Sequence, residues 1–444
     1  MTKQSRITRR RFLQATAALT SAGITTLRPA AYASILGAND RLNIGVIGLG
    51  AMGSRHLDGL LNHRPHLNID LLQTCDVYRK RADKAAHRLG NRCQPTQRYE
   101  EVLENPHIDA VFIATPDHWH AKIAMDAIQS GKHVYLEPPL GHTGQQALEV
   151  LRVAQSRQDR VRVQIGVPST SFDLCDQVRA HIEEQGIGKL LLVNSCDSGQ
   201  RPPSGAEAWE TIANPRRAGL DWDRWLGYRY TCAGQPLASR RAWDPGRYFQ
   251  FNRYWDYSGG MGTDHFISRL SFLLKGTGLG YPERAVAAGG RWVRTQNGRM
   301  PVGRGGGLKG GEVPDFYNTI LEYPGGVTVT LIGSAFNATP VPTRLVGQAA
   351  EITLNDPEHP TTAEIRPPAT ATKRTTPLVL TGKPGGDEEH RENFIQAIRD
   401  PRIELYCPVS LAVRVNVALA MSLGAYQDQK VYCWEPRAQK MLAG

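Results

Sequence analysis

Three glycines and a carboxylate carry the first recognisable chemistry. The short apolar run Ile44-Gly45-Val46-Ile47 leads directly into Gly48-Leu49-Gly50-Ala51-Met52-Gly53. Such a run fits a buried parallel strand. Each glycine answers a separate need: Gly48 permits a tight turn, Gly50 lets backbone approach a pyrophosphate, and Gly53 lets the next helix pack closely on the strand. Ala51 and Met52 open that helix, whose N-terminus offers N–H groups and a positive dipole end to phosphate. A second apolar run, Asn68 to Thr74, ends near Asp76, about the ~20 residues further on that a ribose-binding carboxylate requires. A carboxylate there accepts hydrogen bonds from adenosine ribose hydroxyls and repels a 2′-phosphate. The pattern is therefore that of an NAD site, with Arg79, Lys80 and Arg81 just beyond leaving NADP open.

A second set of residues has the means to handle a proton. Thr115-Pro116-Asp117-His118-Trp119-His120 follows one apolar run, and Glu137-Pro138-Pro139 follows the next, with His142 close behind. An aromatic ring with imidazoles suits a flat cofactor through stacking and hydrogen bonding. His120 is expected to touch cofactor or substrate, whereas Asp117 with His120 reads first as helix-start chemistry. Further on, Tyr254-Trp255-Asp256-Tyr257-Ser258-Gly259-Gly260 precedes Asp264-His265. His265 is an imidazole next to a carboxylate, the commonest acid–base choice, and Tyr257 is a second candidate donor. The histidines at 118, 120, 142, 265 and 390 give no metal-ligand spacing, and no metal site is expected.

Alternating strands and helices must position these groups. Strands are expected at Ile108–Pro116, His133–Leu136 and Val161–Gly166, with helices over Ser54–Asn62, Ala121–Ser130 and Gly144–Arg157. This βα alternation predicts a doubly wound parallel sheet, a Rossmann domain over residues 34–166, with its ligands at the carboxyl ends of the strands. Beyond it, β-branched alternation over Glu283–Val293, Asp315–Tyr323 and Gly326–Ile332 reads as antiparallel strands. Met300–Gly311 and Pro360–Pro377 read as loops, and 387–399 and 408–429 as helices, the first packing back on the Rossmann domain through Asn393 and Phe394. Residues 198–258 concentrate Trp209, Trp222, Trp225, Trp243 and Trp255 with Arg216, Arg217, Arg224, Arg240, Arg241, Arg247 and Arg253, suited either to sugar rings or to packing on the sheet.

Composition narrows the class. The chain has 444 residues, 41% hydrophobic and 21% charged, which is ordinary for a globular protein of two or three domains. No run of ~18 consecutive apolar residues suggests a membrane anchor. The net charge of +11 is concentrated at the N-terminus, where Lys3, Arg6, Arg9, Arg10, Arg11 and Arg28 have no acidic neighbour through residue 33. What remains is too diffuse for nucleic acid. The seven cysteines show no zinc or redox spacing. Thr8-Arg9-Arg10-Arg11-Phe12-Leu13, a short apolar segment and Ala31-Tyr32-Ala33 resemble a cleavable twin-arginine signal covering residues 1–33. That resemblance implies the twin-arginine export machinery as a partner and a periplasmic or otherwise exported mature protein.

The glycine motif, Asp76, TPDHWHAKIAMDAIQSGKHVYLE and YWDYSGGMGTD together resemble the family of glucose–fructose oxidoreductase, inositol dehydrogenase and MocA-like proteins (Gfo/Idh/MocA). The resemblance implies an α/β protein: an N-terminal Rossmann domain, then a C-terminal α+β domain over 167–444 with a large, mostly antiparallel open sheet. It implies NAD or NADP, a sugar, cyclitol or related polyol substrate, and a homodimer or homotetramer. Two positions depart from the family pattern. The lysine of its E-K-P motif is Pro138 here, and Ser268 stands four residues after Asp264, where a histidine is usual. Serine alone is too weak an acid to replace that histidine. The expectation is an exported NAD(P)-dependent oxidoreductase whose acid–base work moves to His265 or Tyr257. The alternatives are an NAD-dependent glycosidase with tightly held cofactor and a non-catalytic sugar- or cofactor-binding relative.

Overall fold

A computed structural model describes residues 40–90, 92–198, 214–291, 311–334, 341–355, 360–367 and 377–444. The expected signal, Trp209 and all but the last residue of Met300–Gly311 lie outside the described residues. The first half runs β1 (Leu42–Ile47), α1 (Ala51–Leu67), β2 (Ile69–Cys75), α2 (Arg79–Leu89), β3 (Gln94–Thr96), α3 (Tyr99–Glu104), β4 (Ala110–Ile113), α4 (Asp117–Gln129), β5 (His133–Leu136), α5 (Gly144–Gln155) and β6 (Val163–Ile165). The sheet order is β3-β2-β1-β4-β5-β6, and every pairing is parallel. Helices cover both faces, so strand residues of both orientations are apolar: all of β4 is buried. The order reverses between β1 and β4, which opens a crevice at their carboxyl ends.

Two local outcomes differ from the sequence expectation. Gln94-Pro95-Thr96 has no periodicity, yet it forms β3 because Gln73, Thr74 and Cys75 offer it a free edge. Helix α4 begins at Asp117 rather than Ala121, which puts Asp117, His118, Trp119 and His120 on its first turn and not in a loop. Pro116 supplies a suitable entry, and Asp117 favours the positive helix end.

The second half begins with α6 (Leu174–Glu183) and β7 (Leu190–Ser198). Short elements follow: α7 (Pro215–Ala218), α8 (Trp222–Leu226), the hairpin β8 (Thr231–Cys232) and β9 (Gln235–Pro236), α9 (Pro245–Phe249), α10 (Met261–Asp264) and the longer α11 (Phe266–Thr277). Then come β10 (Arg284–Gly290), β11 (Phe316–Tyr323), β12 (Val327–Ser334), β13 (Thr343–Gly347), β14 (Glu351–Leu354), β15 (Thr362–Arg366), β16 (Leu378–Thr381), α12 (Asp387–Arg399), α13 (Val409–Asp428), β17 (Tyr432–Glu435) and β18 (Lys440–Ala443). A ten-stranded sheet has the order β16-β15-β14-β13-β7-β12-β11-β10-β17-β18, antiparallel except where β7 meets β12. Strand β15 corrects the expected loop Pro360–Pro377: Ala363 and Ile365 alternate inward and pair with β14.

One face of this sheet is core. Tyr317, Thr319, Leu321 and Tyr323 of β11 alternate inward with Val327, Val329 and Leu331 of β12, beneath α11 and α13. Among the described residues, α13 is long and apolar enough to cross a bilayer, but 72% of its apolar window is buried in this core. Helix α12 returns to the first half, where the Phe394 ring meets Phe112 and Tyr135, each at 5.6 Å. All seven cysteines are free thiols.

Candidate functional site

A cavity of about 940 Å³ runs from the carboxyl ends of β1, β2, β4 and β5 to the segment 248–268 and Val313. Gly48 turns the chain at φ +87°, where a side chain would strike the Ala114 carbonyl. A Cβ on Gly53 would strike the Gly48 carbonyl, so this glycine sets how closely α1 packs on the β1–α1 turn and does not itself line the cavity. Gly50 is different. Among the described residues, the only heavy atom near a Cβ placed there is an Arg81 nitrogen at 4.0 Å, and no side chain caps α1. Gly50, Ala51 and Met52 thus leave open space before uncapped N–H groups, a cradle that fits a pyrophosphate.

Asp76 stands at the end of β2. Its Oδ2 accepts from Leu49 N at 2.8 Å and its Oδ1 from Tyr78 N at 2.7 Å. Burial raises this carboxyl's pKa, and the nearby Arg81 charge opposes the shift. Arg79 corrects an expectation: its guanidinium turns outward to Asp83 at 2.7 Å, outside the cavity. Arg81, one turn position further round α2, lines the cavity instead, over the rings of Tyr78 and Tyr248.

The first turn of α4 divides its residues by direction, since neighbours on a helix point ~100° apart. Trp119 and His120 face the cavity with Thr115 and Pro116. His120 bridges two strand ends, with Nδ1 2.8 Å from the Pro139 carbonyl and Nε2 2.7 Å from the Thr115 carbonyl. Burial lowers the pKa of this ring, and a neutral imidazole donates to only one of the two carbonyls at a time. His118 points away, correcting its cofactor role: it is fully buried, with Nε2 3.1 Å from the Trp225 carbonyl, and burial lowers its pKa to about 3. Glu137 lines the cavity with His56, which the sequence did not single out, 2.7 Å behind it. Pro138 and Ser268 both line the cavity as well.

The proton-handling residues gather where α10 breaks into α11. Asp264 ends one helix, His265 forms the step, and both line the cavity. His265 Nδ1 lies 3.6 Å from Oδ1 of Asp197, a buried carboxylate near the end of β7. Asp264 Oδ2 accepts from Asn252 Nδ2 at 3.3 Å. Asp117 lines the same wall; burial and the neighbouring Asp264 charge push its carboxyl well above the usual range. Tyr257 is corrected: it is wholly buried among His118, Trp225 and Tyr254 and does not reach the cavity. His142 also stays out of it. Part of the tryptophan-rich segment packs internally and part lines the cavity. Trp222 and Trp225 stack at 4.8 Å in a buried cluster, while Trp225, Tyr248 and Phe249 show a face to the cavity.

Asp197, Asn252, Asp117 and His56 escaped the sequence reading because no motif marks them. Asp117 alone lay within a singled-out run, where helix-start chemistry explained it.

Residues 42–165 match the family model of the Gfo/Idh/MocA oxidoreductases, described as an NAD-binding Rossmann fold. The inositol 2-dehydrogenase/D-chiro-inositol 3-dehydrogenase of Lactiplantibacillus plantarum is 25% identical over 183 residues, 41% of this chain and 51% of that protein. An α-N-acetylgalactosaminidase of Shewanella oneidensis is 29% identical over 178 residues, 34% of this chain and 38% of that protein. The chain thus spans about half the length of the first relative and under two fifths of the second. Over 88% of this chain, the fold is similar to the Bordetella pertussis WlbA dehydrogenase crystallised with NADH and UDP-GlcNAcA, at a TM-score of 0.61, 15% identity and 98% coverage of that structure. The first half is an NAD-binding Rossmann domain, and a large mostly antiparallel sheet builds the second.

Proposed function

We propose that this chain is an NAD-dependent oxidoreductase acting on a sugar, cyclitol or related polyol. The observation that carries this is the continuity of one cavity from the open Gly50 cradle and Asp76 to Asp264 and His265. When bound, NAD supplies a hydride acceptor. Gly48 and Gly50 hold the turn and the open space, the α1 N-terminus meets the phosphates, and Asp76 meets the ribose. Trp119 and His120 give a flat wall, and His265, whose Nδ1 lies 3.6 Å from Asp197, hydrogen-bonds the reacting hydroxyl. Inositol dehydrogenase and WlbA likeness supports the polyol substrate. Purified holoprotein given a panel of polyols should form NADH. His265→Ala should lower turnover by about 10²-fold or more while NAD stays bound. Undiminished turnover in this variant would remove His265 from the site.

The glycosidase likeness supports a second reading, glycoside cleavage by a chain that would hold NAD tightly and end each turnover with it unchanged. It requires glycoside cleavage with no net NADH, which separates it from the first.

The same proposal places the protein outside the cytoplasm, exported folded, on the strength of Thr8-Arg9-Arg10-Arg11-Phe12-Leu13. Replacing Arg9 and Arg10 with lysine should retain it inside the cell; export of that variant would argue against the pathway.

A further inference from the structure

Glu137 is a carboxylate of the cavity wall that the chemistry above does not use. It follows β5, and its Oε1 lies 2.7 Å from Nε2 of His56 on α1. The contact is enclosed: the His56 side chain is 2% exposed and the Glu137 side chain 13%. Gly166 leaves room for it, since a Cβ there would meet Glu137 Oε1 at 2.5 Å. Nδ1 of His56 is buried with no hydrogen-bond partner among the described residues. A cationic ring would therefore bury a second N–H with nothing to accept it. The neutral ring avoids this: its one proton sits on Nε2 and is donated to an ionised Glu137. Oε2 remains as the carboxyl's second acceptor.

The topology puts this carboxylate at the reacting end. Asp76 ends β2, the Gly50 cradle follows β1, and Glu137 follows β5, three strands along the sheet from Asp76. A dinucleotide held at Asp76 and Gly50 has its nicotinamide side toward β4 and β5. The second half reaches the same corner. Ser169, three residues after Gly166, donates from Oγ to the Ser268 carbonyl at 2.8 Å, and Ser268 lies in the first turn of α11, just after His265.

We propose that Glu137 accepts the proton of the reacting hydroxyl and that His56 is the positioning residue that keeps it ionised and aimed, together filling the place left by Pro138. The inference rests on the oxidoreductase reading and deepens it. In the oxidising direction the carbinol O–H bond breaks and its electron pair becomes the second C–O bond. The C–H electrons leave as hydride to NAD⁺, and the proton passes to Oε2 of Glu137, which becomes a neutral acid while His56 keeps its own proton. Reduction returns the proton from Oε2 to the new hydroxyl.

The charged and titratable groups around the pair are Tyr135 on β5, His120 on α4, His390, Arg391 and Asp387 on α12, and Asp264 and His265 along the cavity wall. Burial lowers His120 and His390 and raises Tyr135, so these three stay neutral near neutral pH and do not take the proton from Glu137.

The test uses wild type, Glu137→Gln, His56→Phe and His56→Gln. Nitrogen NMR of the purified, histidine-labelled protein should show His56 neutral at neutral pH with its proton on Nε2. A cationic ring, or a proton on Nδ1, would overturn the pair. NAD-loaded Glu137→Gln should oxidise polyol about 10²-fold more slowly or worse while calorimetry shows NAD still bound; turnover within a few-fold of wild type would remove Glu137 as the acceptor. His56→Phe keeps the ring's packing and removes the donor, so the acidic limb of the kcat/KM profile should move up by about one pH unit. His56→Gln keeps a donor and should move the limb back, which a purely structural role would not produce. An unmoved limb in His56→Phe would overturn the positioning role. NAD affinity tells a misfolded variant from an informative one, and the wild-type spectrum decides in either case. If wild type holds the neutral Nε2–H ring but oxidises no polyol, the oxidoreductase reading fails and the catalytic use of the pair falls with it.

Discussion

At the scale of single residues, the dinucleotide end is held by contacts with little slack. A methyl on Gly53 would meet the Gly48 carbonyl, so Gly53→Ala must push α1 from the β1–α1 turn. Overpacking of this kind costs about 1–3 kcal/mol; thermal unfolding should register it, and NAD affinity should fall with the distorted turn. Asp76→Asn keeps the size and removes the charge proposed to meet the ribose. A hydrogen bond to a charged group contributes about 1.5–3 kcal/mol, so calorimetry should show NAD binding weakened roughly tenfold or more. NADP should gain relative to NAD, because Arg81 remains at that end of the cavity. A variant that binds NAD as tightly as wild type would take the ribose role from Asp76. Gly48, Gly50, Gly53 and Asp76 were legible in the sequence because their jobs are local: a turn, a helix start and a strand end. Arg79, His118 and Tyr257 had suitable chemistry but the wrong direction. Which side of a helix turn faces a cavity is set by what packs on the other side, here Trp225 against His118 and Tyr257.

Between elements, the joint of α12 with the first sheet makes a pH-sensitive contact. His390 Nδ1 lies 3.1 Å from both the Tyr135 hydroxyl and Gln164 Nε2, and Nε2 lies 3.4 Å from Thr170 Oγ1. The neutral ring, accepting at Nδ1, satisfies these donors; a proton on Nδ1 would not. Burial lowers the His390 pKa to about 3, and His118 is lowered to the same value. Both are depressed from an unfolded value near 6.5, so below that pH the unfolded chain binds protons that the folded chain refuses. Stability should therefore fall as pH drops from about 6.5 toward 3, by roughly 1.4 kcal/mol per pH unit for each histidine. His390→Gln should be less stable at neutral pH yet lose one histidine's share of the slope. Denaturant melts between pH 7 and 5 check this, and an unchanged slope would exclude His390 as a source. The return of α12 was foreseen from Asn393 and Phe394, since its apolar face is written in the chain. The interruption at His265 was not. The segment from Met261 to Thr277 contains no proline, and the break that brings Asp264 and His265 to the cavity wall is seen only once Asn252 and Asp197 surround them.

Over the whole molecule, the ten-stranded sheet buries one face, and among the described residues the other carries exposed apolar side chains. Its alternation, legible in β11 and β12, told which residues face the core but not what meets the opposite side. On that side Val286 and Ile320 stand opposite each other in register, with Ile332 on β12 beyond them, all more than a third exposed. With strands ~4.8 Å apart, they form an apolar stripe across three neighbouring strands of the sheet. The stripe supports the proposal that copies of the chain associate through this face. Homodimer interfaces have apolar centres from which charge is excluded, so a lysine at the middle of the stripe would desolvate a charge in each copy. Ile320→Lys with Val286→Lys should convert the wild-type oligomer to monomer by light scattering. The dinucleotide cradle lies on the other sheet, so NAD affinity per chain should be preserved. A wild-type chain that is monomeric at micromolar concentration, or a double variant that keeps the wild-type mass, would show that this face meets water or a different partner.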